Sequence, residues 1–261
     1  MWRNPVFTKE VRTKMRSRQP RAVQATVVAL VLLPIGLCYY YALDYLLWPG
    51  AGSQAGRDGW QAVCALQTIL VWVLAPAAAA NAFTQEREQR TWDLLATTLL
   101  TPAEIVFGKL AARLLPLAAL LAVFVPYGIA CAAAGGVTLS RLVGSYALLG
   151  LWAVFMTVVG LYASWRSRRT ATAIAIGYVV LGVLAIGTAL VETTMHIGRA
   201  FVGSTETALL WINPARVGAA AIDTYDSNRF AVLAFSSVVY AGTAALLLWR
   251  MARTPRRQAA P

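Results

Sequence analysis

Residues 142–165, LVGSYALLGLWAVFMTVVGLYASW, run without one charged side chain. A transmembrane helix needs about 20 mostly apolar residues to cross a hydrocarbon core about 30 Å thick, and this run meets that length. Outward from it, five further runs qualify: residues 23–47, 62–83, 114–134, 170–191 and 230–249. Of the 261 residues, 59% are hydrophobic and only 13% charged, which places the chain in a bilayer and not in water. The sequence thus predicts an all-α polytopic membrane protein, a single transmembrane domain over residues 1–261 with six spans, because in lipid each helix satisfies its own backbone.

The leftover polar sequence forms short connections, with no low-complexity tract and no internal repeat. A basic segment precedes the first run, as in a secretory leader. That run is about twice as long as a leader's apolar region and no small-x-small site follows it, so the reading is a retained helix. Pro34, Pro76, Pro116 and Pro126 fall inside apolar runs, where kinks and not breaks are expected.

The formal charge is +12, and its distribution carries the meaning. With six spans both termini share a side, and 18 of the 23 basic residues fall on that side, in 1–22, 84–113, 166–169 and the tail. The positive-inside rule then predicts cytoplasmic termini in the cytoplasmic (inner) membrane. Orientation and anionic headgroups account for the charge, and no continuous basic face with interleaved aromatics points to nucleic acid.

Catalytic chemistry has little to stand on. Cys38, Cys64 and Cys131 lie in apolar runs without CxxC spacing and read as small buried hydrophobes. His196 is the only histidine, so no multi-histidine metal site can form, and a solvent-facing residue is the expectation there. Gly108 and Lys109 lack the upstream Gly and the following Ser or Thr of a phosphate-cradling loop, so any ATP would be hydrolysed on another chain. Asp44 and Glu192 sit at the outer ends of spans, a weak basis for a proton relay. Gln67, Thr68 and Asn81 in the second span could line a route or bond between helices. In the outer connection, 192–229, Asn213 and Pro214 predict the start of a short helix.

Two segments on the basic side carry more information. In NPVFTKEVRTKMRSRQPR, Asn4 and Pro5 form a helix start, and Phe7, Val11 and Met15 recur every four residues, predicting an interfacial helix over 1–22. The connection 84–113 gathers Glu86, Arg87, Glu88, Arg90 and Asp93, then places Trp92, Leu95 and Leu99 on one helical face. Thr101, Pro102 and Glu104 then spell a capping box, so a new helix should start there and continue into the third span. A plain hairpin needs only a few residues. About thirty ordered, mixed-charge residues suggest a docking surface for a cytoplasmic partner, beside the alternative of a helix held by lipid alone.

The run QEREQRTWDLLATTLLTPAEIVFGKL resembles the signature of type-2 ATP-binding-cassette transporter permeases. The matching positions are Glu86 and Arg87, Thr91 and Asp93, Leu94 and Leu95, Thr101 and Pro102, Glu104 and Ile105, and Gly108 with Lys109. The Asn-Pro opening and basic helix at the N-terminus are similar to the elbow helix of the same group. The chain departs from the usual pattern at Arg90, where the family commonly has Gly, and at Trp92, where it has a small or aliphatic residue.

The resemblance implies the six-helix permease half of an ATP-driven transporter, an exporter, with a coupling helix between its second and third spans. It implies a separate cytoplasmic ATPase that binds ATP and Mg, a second permease chain as a homodimer or heterodimer, and no cofactor or catalytic residue here. On this reading Glu86, Arg87, Glu88, Trp92, Asp93, Thr101, Glu104 and Lys109 are the expected ATPase contacts. A secondary transporter would show interrupted helices in inverted repeats, and an intramembrane enzyme would show buried catalytic side chains. Neither pattern is present; a secondary transporter or a non-transporting membrane scaffold stands as the alternative.

Overall fold

The structure, a computed structural model, describes residues 6, 8–10, 36, 39–40, 52–90, 100–133, 135–187, 190 and 229–253. These are almost entirely helical and include no strand. The main elements are α1 (Gly52–Glu88), α2 (Pro102–Val123), α3 (Val125–Ala133), α4 (Leu139–Arg166), α5 (Thr170–Gly182), a π-helical turn Val183–Gly187 that prolongs α5, and α6 (Arg229–Arg253). Among the described residues five helices are long and apolar enough to cross a membrane: Gly56–Glu88, Pro102–Ala133, Leu139–Arg166, Thr170–Gly187 and Leu233–Arg253. Of the expected first span only residues 36, 39 and 40 are described, all helical. Tyr39 donates its hydroxyl to the Val123 carbonyl at 2.9 Å and meets the Tyr127 ring edge-on at 5.8 Å, so Tyr39 lies against the α2–α3 junction.

The second span is much longer than the apolar run 62–83. Polar residues extend α1 at both ends, because helix geometry satisfies their backbone whether or not lipid surrounds it. Pro76 lies inside α1 and Pro116 inside α2, and both helices continue through them. Near Pro126 a single turn residue, Phe124, itself in the right-handed helical conformation (φ −89°, ψ −7°), separates α2 from α3, with Pro126 in the first turn of α3, and Pro102–Ala133 still forms one apolar crossing. A proline lacks the N–H that would bond back one turn and its ring crowds that carbonyl, so its favoured place is the first turn of a new helix. Pro34 and the short helix expected at Asn213 lie outside the described residues.

The central helix is α4, packed most extensively on α1, with α5 against both and α6 against α4 and α2. Lipid tails are as apolar as the side chains, so helix association rests on close packing. The contact between α1, α4 and α5 uses small residues accordingly: Ala75, Ala79, Ala80 and Ala82 on α1, Ala163 on α4 and Ala173 on α5 are all buried. Closest approach is at Pro76, where a Cβ on Gly160 of α4 would stand 2.9 Å from the Pro76 carbonyl oxygen and from the Ala79 Cβ. Tyr178 of α5 donates to the nearby Val73 carbonyl at 2.6 Å, supplementing the hydrogen bonds that Pro76 weakens. Large rings fill the other side of α4, with Trp152, Phe155 and Tyr240 of α6 in mutual contact at centroid separations of 4.6 to 5.8 Å.

At one end of the bundle α1 begins and α3 turns into α4 through Gly135 (φ +77°) and Gly136, where a Cβ would collide with the backbone of Gly56 and Arg57. Buried Trp60, Cys64, Tyr127, Cys131 and Leu142 form the core there. At the other end lie Glu88, Thr101, the α4–α5 turn and the last turn of α6, together the charged end.

Candidate functional site

At the charged end the last two turns of α1 act as a post to which the neighbouring segments are tied. On one side, the Ser164 hydroxyl oxygen accepts from the Phe83 and Thr84 amides at 2.9 and 3.2 Å. The hydroxyls of Thr84 and Thr170 lie 2.8 Å apart. Arg87 donates from Nη1 to the Ser167 carbonyl at 2.6 Å and from Nη2 to the Trp165 carbonyl at 2.8 Å. Glu88 accepts from the Thr170 amide at 2.8 Å. A cation thus covers the carbonyl end of α4 and a carboxylate covers the amide end of α5. Both signs agree with the helix dipoles.

On the other side α1 meets α2 and the N-terminal segment. Lys109 is fully buried, and its ammonium donates to the Ala82 carbonyl at 2.6 Å, Glu86 Oε1 at 2.9 Å and Glu10 Oε1 at 3.0 Å. Its Nζ also stands 5.2 Å from the centroid of the Phe83 ring. Arg113, one turn further along α2, reaches Glu10 Oε2 from Nη2 at 3.1 Å. Removing one partner of a buried pair strands the other charge, at a cost of about 3–5 kcal/mol.

The helix α2 starts at a complete capping box. Glu104 Oε2 accepts from the Thr101 amide at 2.7 Å, and the Glu104 amide donates to the Thr101 hydroxyl oxygen at 3.3 Å. Pro102 occupies the first turn. The backbone hydrogen bond from Thr101, with a further one from its hydroxyl, lowers the Glu104 carboxyl from its ordinary value. Thr101 and Glu104 are exposed, so the corner is ordered by its own bonds and open to solvent.

The C-terminal stop of α1 explains the departure at Arg90. This residue has φ +56°, the left-handed conformation in which a helix-terminating Gly is favoured, and its amide bonds to the Arg87 carbonyl at 3.1 Å. Arg90 takes the conformation at a steric cost that Gly would avoid.

Of the eight expected contact residues, Glu88, Thr101 and Glu104 are exposed at the charged end. Glu86 and Arg87 are half-buried and hold α1 to its neighbours. Lys109 is the one that differs most from its expected place. Its three donors point inward, so in the chain by itself it holds the corner together from within. Trp92 and Asp93, and the face expected from Trp92, Leu95 and Leu99, lie outside the described residues.

Sequence reasoning missed Glu10, Thr84, Arg113, Ser164 and Thr170. The signal that could have found them is a hydroxyl or charge just inside the end of an apolar run, where lipid offers no alternative partner. Gln67 is fully buried and its Nε2 lies 3.4 Å from the Tyr146 hydroxyl on α4, an interhelical contact. Thr68 bonds within its own helix, to the Cys64 carbonyl. Cys64 and Cys131 are buried free thiols, while Cys38 and His196 lie outside the described residues.

An all-helical bundle with at least five apolar crossings and an ordered charged corner defines the class: an integral, multi-pass membrane protein. The chain belongs to the ABC-2 family transporter proteins, whose sequence profile matches residues 4–252. Its place is therefore that of a membrane-spanning permease component of an ABC transporter, a kind of protein that works with an ABC ATPase. Comparison with curated proteins gives no match.

Proposed function

We propose that this permease exports its substrate, driven by a separate cytoplasmic ATP-binding-cassette ATPase that docks on the charged end. ATP and Mg bind on that partner, since no phosphate-cradling loop occurs in this sequence. Two permease chains, identical or different, form the path between them. The protein resides in the inner membrane with both termini cytoplasmic, a reading that rests on the charge asymmetry of the connections.

The observation that carries this reading is the capped corner at Thr101. A link between two spans needs no capping box, no left-handed stop at Arg90 and no ties from α1 to three neighbouring segments. Such construction makes a stiff surface, which suits transmission of force. Within it Glu88, Thr101 and Glu104 offer exposed polar contacts, while Glu86, Arg87 and Lys109 fix their positions. Trp92 and Asp93 belong to the same proposed docking surface.

The test is the double variant Thr101→Ala/Glu104→Ala, which removes both halves of the box. It should insert and fold, because neither side chain contributes to the buried core, yet lose permease-stimulated ATP turnover in the assembled complex. Full stimulation, or crosslinks to the ATPase from the tail after Arg253 alone, would place the docking surface elsewhere.

A further inference from the structure

Where the N-terminal segment, α1 and α2 meet, two cations and two anions lie together: Lys109 and Arg113 against Glu10 and Glu86. Among the described residues these four charges balance. An ammonium has three donors, and that of Lys109 meets three acceptors, one from the N-terminal segment and two from α1. Glu10 in turn spans Lys109 and Arg113 with its two oxygens.

A second observation places the N-terminal segment on the bundle. Val6, one helical turn before Glu10, is buried in the same core cluster as Phe83, Ile105 and Met251, while Thr8 and Lys9 between them are exposed. The residues at 6 and 10 thus form a face turned into the protein. The expected stripe of Phe7, Val11 and Met15 lies outside the described residues.

We propose that Lys109 is a positioning residue that makes the N-terminal helix a working part of the docking corner. Displacement of the end of α1 and the start of α2 is carried to the N-terminal helix through Lys109 and Glu10, where a helix held by lipid alone would slip. The reason is electrostatic: separating the segments would take Glu10 both from Lys109, which would keep only Glu86 and the Ala82 carbonyl, and from the buried Arg113 guanidinium, so they move together. Arg is no substitute for Lys here, because a planar guanidinium does not fit three acceptors arranged about one nitrogen. The inference deepens the docking reading and rests on it.

The decisive variant is Lys109→Met with Glu10→Gln, which removes one charge of each sign and so leaves the net charge of the corner unchanged. Spin labels at the exposed positions Lys9 and Gln89, with Cys38, Cys64 and Cys131 replaced by Ala, report the distance between the N-terminal helix and the end of α1. In lipid nanodiscs the otherwise unaltered chain should give one narrow distance distribution, unchanged when the co-purified ATPase is trapped with ATP. The double variant should fold but give a broad distribution and about a tenfold loss of permease-stimulated ATP turnover. A distribution as narrow as that of the parent, full stimulation, or a parent distance that changes with nucleotide would overturn the proposal. If the variant is too unstable to purify, Glu10→Gln alone serves with the same readouts and outcomes. Failure of the unaltered chain to hold an ATPase would instead sink the docking reading, and the distance comparison on the chain alone separates the two failures.

Discussion

Replacing Arg87 tests whether the end of α1 is fastened to the α4–α5 turn as the geometry requires. Its guanidinium makes two bonds, at 2.6 and 2.8 Å, to the carbonyls of Ser167 and Trp165, at the end of α4. Hydrogen bonds from charged donors are worth about 1.5–3 kcal/mol each. Because Arg87 is half exposed the low end applies, and Arg87→Ala should cost about 2–3 kcal/mol. Arg87→Lys separates the contributions: it keeps a cation at the carbonyl end of α4, worth about 0.3–1 kcal/mol, but cannot fork to two carbonyls. It should therefore recover less than half of the loss. The assay is SDS-induced unfolding of the purified chain followed by tryptophan fluorescence, with nine tryptophans as reporters. A loss below about 0.5 kcal/mol for Arg87→Ala, the level of an ordinary surface change, would refute the fastening. So would wild-type stability in Arg87→Lys.

The other expectations concern packing and backbone. Gly160→Ala should destabilise by about 1–3 kcal/mol, because its Cβ meets the Pro76 backbone, whereas Gly150→Ala on the same helix meets nothing within 4 Å and should be neutral or slightly stabilising in the same assay. Arg90→Gly should be neutral or stabilise by up to about 1 kcal/mol, since relief of the left-handed strain slightly outweighs the extra freedom of Gly in the unfolded chain. Arg90→Val should lower stability measurably; a gain there would show that the strain assigned to this turn is absent.

Some of this was legible in the amino-acid order alone. Apolar runs of membrane-spanning length are local facts, and so are the box at Thr101, Pro102 and Glu104 and the departure from Gly at Arg90; each was readable because its cause lies within a few residues. The long polar extensions of α1 were not, because hydropathy marks where lipid is tolerated and says little of where a helix stops. Lys109 shows the limit most clearly. In sequence it is a basic residue before an apolar run, and it reads as surface; in the structure Glu10, Ala82 and Glu86 surround its ammonium and make burial tolerable. Sequence by itself determined that the chain lives in a bilayer, is all helix and turns a capped corner before its third span. Only the tertiary structure decided which charges face solvent and which are spent holding helices together, because that depends on partners brought from 23 to 103 positions away, and a local pattern carries no record of them.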